Sequence, residues 1–350
     1  MSASIPPSSS TVSVRMINGS GPDASVPSVL FVEPVLPGRE SLPAPAYSFL
    51  IEHDGQRILF DLGTRKDQEN LSPAYRAMLS TIGGFNITVE RDVVEQLKDG
   101  GIDAKDIDTV IWSHTHLDHI GDMSKFPSST TLVIGPGSTR ASYPTVPDAL
   151  LLDSDFAGRE IRELSFSNAP FTLSGRPVLD FFGDGSFYLI DVPGHCPGHI
   201  AGLARVTPTT FILLGGDTFH HPGQLRPNAF VKKAFPYPEH LITSTRQSVS
   251  PKYFSTGGSE FDLTKQDTPL LSVPSGHSSY ADRETAIQSI KALSELDADP
   301  NILVAIAHDV TLLGVVDLFP KTLNAWKEKG WKEQVMWRFL EDNSPAFMLN

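Results

Sequence analysis

The residues HTHLDH, positions 114–119, place three of the chain's 11 histidines and one aspartate directly after the apolar run DTVIW. That run has the length and β-branched content of a buried strand. In extended backbone, side chains two apart point the same way, so His114 and His116 can grip one cation from a single side. Asp118 and His119 are adjacent and do not easily join that grip together, but a turn or helix beginning there aims them at a second cation. Four donors in six residues therefore suggest two metal ions, and mixed imidazole and carboxylate ligands are the material of zinc sites. The plain alternative is a polar surface loop.

Further donors stand at the ends of other apolar runs. LIDVPGHCPGHIAG puts His195 just beyond a strand, in a Gly/Pro turn whose backbone can approach a metal closely. FILLGGD ends in Asp217, a carboxylate leaving an apolar strand where an unpaired charge is costly to desolvate. ILVAIAHD reaches His308 in the same fashion. Each alone could be a loop residue; with the first cluster they make a set of seven.

Composition excludes several function classes. With 350 residues, 40% of them hydrophobic and 20% charged, the chain is an ordinary globular mixture with a sizeable core. A formal net charge of -13, with no long Lys/Arg run, argues against nucleic acid as a partner. One cysteine, Cys196, allows no intramolecular disulfide framework and fits a reducing compartment. The start, MSASIPPSSSTVSV, lacks a signal-peptide pattern, and no apolar run approaches the roughly 18 residues of a membrane span. The expectation is a cytoplasmic protein with no membrane partner.

Periodicity gives a coarse map. Residues 1–10 read as a mobile Ser/Pro-rich tail, and residues 1–24 as that tail with a first strand region. AYSFLIEHDGQRILFDLG reads as a hairpin turning at Asp54-Gly55. Two helices follow, one opened by Ser72-Pro73 and closed by Gly83-Gly84, the other carrying Val93, Val94 and Leu97 and stopped at Gly100. Strand-like runs then alternate with turns. Residues 222–282 break the rhythm and read as an insertion over the groove. Its aromatics, Phe230, Phe235, Tyr237, Tyr253, Phe254 and Phe261, fit either a satellite core or a pocket lining, and the segment could also serve a homodimer. After a helix in ADRETAIQSIKALSEL, the segment PKTLNAWKEKGWKEQVMWRFLED reads as helical again. Residues 25–350 are taken as one domain. His53, His240 and His277 are left as ordinary surface or loop residues, with His277 able to face the groove.

The full motif resembles the metallo-β-lactamase superfamily, whose signature His-x-His-x-Asp-His is met by HTHLDH and whose later single ligands are matched by His195, Asp217 and His308. The resemblance runs over roughly residues 25–320. It implies an αββα sandwich, two mixed sheets flanked by helices, with metals in a groove along one edge. It also implies two Zn(2+) per chain, with Mn, Fe or Co as other occupants of such sites. His114, His116 and His195 would hold the first ion, Asp118, His119 and His308 the second, and Asp217 both. Asp61, in FDLGT, is read as supporting the site rather than ligating, and Cys196 as a small buried residue.

The chemistry implied is hydrolysis by a hydroxide bridging the two metals, with Asp118 helping the leaving group. Within the superfamily the pattern is most similar to the quorum-sensing lactonase-like branch, which suggests opening of a cyclic ester or amide, a lactonase or lactamase acting on a small apolar or aromatic molecule. Those lactonases carry a tyrosine three residues after the bridging aspartate, contacting the substrate carbonyl; here His220 stands there. An imidazole can donate a hydrogen bond or shuttle a proton, so His220 is a catalytic candidate, with loop capping by His220 and His221 as the alternative. His199 reads as structural. A thioesterase or phosphotriesterase on the same fold is the alternative function; a thioesterase would want a basic clamp, and Lys232-Lys233 is the only close pair in the insertion.

Overall fold

Alternation along the strands decides the layers. In the computed structural model, which describes residues 5–35, 38–241, 267–341, 344 and 346, Phe49 and Ile51 of the strand Tyr47–His53 join one core cluster while Leu50 joins another, and all three are buried. The second half of the chain repeats the pattern: Ile212 and Leu214 enter the shared core, Phe211 and Leu213 an outer one. Strands apolar on both faces need cover on both sides.

Two six-stranded sheets supply that cover for each other. The first runs, in spatial order, Ser13–Asn18, Tyr47–His53, Gln56–Phe60, Thr109–Ile111, Thr131–Ile134, Ile161–Glu163. Its first two junctions are antiparallel and its last three parallel. The second runs Phe171–Leu173, Arg176–Asp180, Phe187–Asp191, Ile200–Thr207, Thr210–Leu214, Ile302–Ala305, antiparallel except for the last pair. Both sheets are mixed. Val14, Phe60 and Ile111 from one meet Leu189, Ile200 and Leu303 from the other in the common core. The helix Val93–Asp99 seats Val93 and Leu97 on the outside of the first sheet, against Leu50, Leu59 and Val110. The helix Arg283–Asp297 seats Ile290, Leu293 and Leu296 on the outside of the second. Each such fully buried side chain contributes about 1.5–3 kcal/mol. The architecture is the αββα sandwich.

Local signals were obeyed where they were strong. The hairpin turns at Asp54 (φ 46°) and Gly55 (φ 83°). Ser72 caps Pro73–Ile82 by accepting from the Tyr75 amide, and Asp92 and Glu95 form a reciprocal capping box.

Two expectations need correction. Residues 321–330 are turns, and only Trp331–Met336 is α-helical in that segment. Gly330 sits at φ 63°, and the Phe319 and Leu323 amides donate to Met16 and Val14 carbonyls instead of continuing a helix. The segment thereby covers the open edge of the first strand, which would otherwise be free to pair with another chain. From Ile5 onward the expected mobile tail is tied down: Arg205 donates to the Pro6 carbonyl at 2.5 Å, Ser8 to Asp184 at 2.6 Å, and the Val12 amide to Arg205.

Within 222–282, Phe235 and Tyr237 pack into a satellite core with Leu30, Trp337 and Phe339, while Phe230 is exposed. Tyr253, Phe254 and Phe261 lie outside the described residues. Among the described residues, no helix is long and apolar enough to cross a membrane.

Candidate metal centre

The seven donors converge because strands of both sheets end at the same edge. Thr109–Ile111 leads into Ser113 and His114; extended backbone at His116 then gives way to the single turn Leu117–Ile120, which carries Asp118 and His119. Thr210–Leu214 ends in Gly215-Gly216, and Ile302–Ala305 runs on to His308. Gly216 adopts φ 51°, and a Cβ there would come within 3.0 Å of Ser113 and His199. Gly194, at φ 125°, approaches the Ala286 backbone so closely that a Cβ would lie 2.2 Å from its nitrogen. Both glycines are needed for the turns that deliver Asp217 and His195.

Two groups of donors result: His114, His116, His195 and Asp217, and beside them Asp118, His119 and His308. Within each, the candidate ligand atoms all lie within 4.8 Å of one another. Asp217 stands between the groups. Its Oδ1 is 3.1 Å from both His119 Nε2 and His308 Nε2, and its Oδ2 is 3.4 Å from His195 Nε2 and 3.7 Å from His114 Nε2. His195 Nε2 and His116 Nδ1 are 2.8 Å apart. Ligands bonded at 2.0–2.1 Å to a tetrahedral zinc are separated by about 3.3 Å, the spacing seen across this cluster.

Surrounding hydrogen bonds turn the lone pairs inward. His119 Nδ1 donates to Asp61 at 2.8 Å, His308 Nδ1 to the Pro45 carbonyl at 2.6 Å, and His114 Nδ1 to Ser113 Oγ at 3.0 Å. Ser113 in turn donates its amide and hydroxyl to Asp61. Asp61 therefore aims two imidazoles, from a buried position at φ 63° that a non-glycine residue seldom takes. Burial pushes its carboxyl above the usual range even though His119 and Ser113 pull it down. His199 holds the other side: its Nδ1 donates to the Val192 carbonyl and its Nε2 accepts the Asp217 amide, so it braces the site without facing it.

The electrostatics fit a cation pair. His114 and His195 are held well below the ordinary imidazole range, by burial and by neighbouring rings, which leaves them neutral with lone pairs to give. Burial also opposes charge on Asp217 and His119, yet Asp217 is pulled far down by His119 and His308, and His119 far up by Asp217 and Asp61. Against burial, Asp217 and Asp118 also pull His308 upward, so the carboxylates set a negative potential that favours positive charge at this point. His114 Nε2, His119 Nε2, His195 Nδ1, His220 Nε2 and Asp217 Oδ1 are buried with no hydrogen-bond partner. Five orphaned buried atoms in one knot would be costly unless something bonds to them.

Above the cluster lies a cavity of about 270 Å³. Its floor is His116, Asp118, Asp217, His220 and His308, and its walls are apolar, with Val26, Leu30, Phe31, Met78, Leu79 and Phe85 among them. No Lys or Arg is among its described lining residues; Lys232 and Lys233 are exposed on the helix Ala229–Ala234, away from it. Of the described part of 222–282, His277, Ser278 and Ser279 reach the cavity.

The remaining histidines divide cleanly. His220 is at the floor, 3.0 Å from Asp217. His221 turns away, accepting from the Gly223 amide and donating to the Ala346 carbonyl, and so caps the turn Pro222–Gln224. His53, expected at the surface, is buried against Phe182 with its Nε2 2.8 Å from Asp184. Cys196 is buried and its thiol is pushed up to about 12, chiefly by that burial, so it is inert. Sequence reasoning missed Ser113, Tyr75, whose hydroxyl accepts from the Leu117 amide, and Tyr280; the polar position between Trp112 and His114 was the only available signal.

Comparison with known proteins places this geometry in context. A family profile described as the metallo-beta-lactamase superfamily matches residues 42–299. The chain is 40% identical to the metallo-hydrolase mfmC of Annulohypoxylon moriforme, over 98% of this chain and 90% of that one. It is 38% identical to gamma-lactamase FDB1 of Fusarium pseudograminearum, over 97% of this chain and 84% of that one. Among solved structures, a B. thuringiensis AiiA mutant with N-decanoyl-L-homoserine bound at its active site superposes with a TM-score of 0.58 at 17% identity, covering 89% of this chain and 99% of that one.

Proposed function

The chain belongs to the metallo-β-lactamase superfamily and is a metal-dependent hydrolase; from that premise we propose that it opens a cyclic ester or amide of a small, neutral, apolar or aromatic molecule at a dinuclear centre. The observation that carries the reading is the cavity itself: apolar walls with no Lys or Arg among the described residues, standing directly on a floor of converging imidazoles and carboxylates. A gamma-lactamase among its relatives supports the choice of bond.

In this reading His114, His116 and His195 would hold one zinc ion, Asp118, His119 and His308 the other, and Asp217 would serve both. When bound, the pair supplies Lewis acidity and an ionised water at neutral pH. The chain's own residues do the rest. The walls exclude water and orient an apolar ring. Asp118, with 29% of its side chain exposed where Asp217 has 3%, is the carboxylate best placed to take up the proton given off by the attacking water and pass it to the leaving oxygen or nitrogen. His220 reaches the same floor and donates a hydrogen bond to the substrate carbonyl.

A panel of lactones, lactams, thioesters and phosphotriesters, assayed with zinc-loaded protein and again after chelation, tests the proposal. Turnover of lactones or lactams that vanishes on chelation is the expected result. Turnover confined to thioesters or phosphotriesters would reassign the bond, and turnover undiminished after stripping would remove the metal centre from the reaction.

A further inference from the structure

His220 cannot serve two roles at once. A lone pair on Nε2 makes it an additional metal ligand, whereas a proton on Nε2 makes it a hydrogen-bond donor. Distance alone allows either: His220, Asp217 and His308 bring candidate ligand atoms within 4.8 Å of one another, and His220 Nε2 is 3.0 Å from Asp217 Oδ2 without forming a hydrogen bond.

The other ring nitrogen settles the matter. His220 Nδ1 lies 2.8 Å from the hydroxyl of Tyr280, which is buried, and a phenol keeps its proton at neutral pH. The second polar neighbour of that hydroxyl is Gln224 Nε2, at 3.4 Å. Gln224 Oε1 accepts the His220 and His221 amides at 2.8 and 3.2 Å, which fixes the amide so that Nε2 faces the Phe31 and Ser272 carbonyls and Tyr280. An amide nitrogen only donates. The phenolic proton therefore has one acceptor among the described residues, the Nδ1 lone pair of His220.

We infer that Tyr280 is a positioning residue: by donating to His220 Nδ1 it keeps the imidazole proton on Nε2, and so presents His220 to the cavity as a donor for a carbonyl oxygen in place of an additional metal ligand. The surroundings hold this arrangement rigid. The His220 ring lies between Phe31, 4.4 Å away, and His308, stacked at 5.3 Å and 11°. The loop bearing Tyr280 is tied to the loop bearing His195, since the Ala281 and Asp282 amides donate to the His195 and Gly194 carbonyls. The Tyr280 ring also packs edge-on to His195, so Tyr280→Phe removes the hydroxyl and leaves that contact in place. The inference rests on the hydrolase reading given above.

Nitrogen-15 NMR of histidine-labelled, zinc-loaded protein reads the tautomer directly. The expected wild-type signal for His220 is protonated Nε2 and unprotonated Nδ1. In Tyr280→Phe the Nδ1-protonated form should appear, zinc content should match wild type, and kcat on a turned-over ester or amide should fall about tenfold with KM within about twofold. His220→Gln should likewise keep its zinc content. An Nδ1-protonated ring in the wild type, or loss of one zinc in His220→Gln, overturns the inference. Absence of turnover across the whole substrate panel would sink the substrate reading alone, because the tautomer is measured without it.

Discussion

Two buried polar clusters in this molecule are built to opposite rules. In one, Arg226 makes a bidentate pair with Asp297 at 2.7 Å on both arms and donates to the Met336 carbonyl, while Lys332 donates to the Asp297 and Ile302 carbonyls at 2.6 and 2.5 Å. Burial lowers the Lys332 ammonium to about 8, and Arg226 holds Asp297 below its usual range against burial. Each charge has partners, and the cluster clamps the helix Arg283–Asp297 to the C-terminal segment. In the other, around Asp217, five buried atoms lack partners. A satisfied network fastens elements together; an unsatisfied one at the base of an apolar cavity is a socket. The difference separates a structural role from a functional one where burial alone does not.

Substitutions can break or sharpen that contrast. The largest effect is expected from Asp217→Ala, which should end two-metal occupancy and lower turnover by more than about a thousandfold; elemental analysis showing two zinc ions per chain together with normal turnover would defeat it. Asp297→Ala should act on the opposite axis, costing about 3–5 kcal/mol because two cations are left buried without their anion. Urea unfolding measures the loss, and the zinc content of the folded fraction should equal wild type.

An acid titration compares the neighbours of the two clusters. Burial lowers His221 from its ordinary 6.5 to about 4, so the folded chain binds its proton less readily than the unfolded chain. Its contribution is therefore complete above pH 6.5 and is lost as pH falls through 4, amounting to about 3 kcal/mol. The difference in stability between wild type and His221→Gln should shift across that window; a flat difference would contradict the burial of a neutral ring. The smallest change is expected for Asp61→Asn, which touches the metal cluster only through His119 and Ser113. Zinc affinity, read by chelator competition, should drop roughly 10–100-fold with the fold intact.

What the sequence disclosed followed from periodicity. His114, His116, Asp118, His119, His195, Asp217 and His308 were visible because each follows an apolar run, and a polar donor just past a buried strand is a local signal. The two-layer sandwich was not legible in that way: the strand and helix patterns agree with it, but it was implied by the resemblance of HTHLDH and the later single donors to the superfamily. Nor were the cavity walls. The aromatics of 222–282 stand out in the sequence, but described members such as Tyr237 belong to a satellite core, while Phe31, Phe85 and Met78, set in unremarkable stretches, form the wall. Which loops lie over a site depends on long-range packing that no local pattern records. Tyr280 was hidden for that reason, being 60 residues from His220. The helix expected over 320–342 failed because apolar spacing suited to a helix was used by Trp326 and Leu323 to cap a sheet edge.

The parallel pairing of Ile302–Ala305 with Thr210–Leu214 makes His308 the final donor to arrive, 91 residues after Asp217. During translation a nascent chain holds six of the seven donors well before the seventh leaves the ribosome. Complete metallation is thus postponed until the described strands of both sheets have been synthesised, and a product halted upstream of His308 would retain the first donor group yet lack a finished second one.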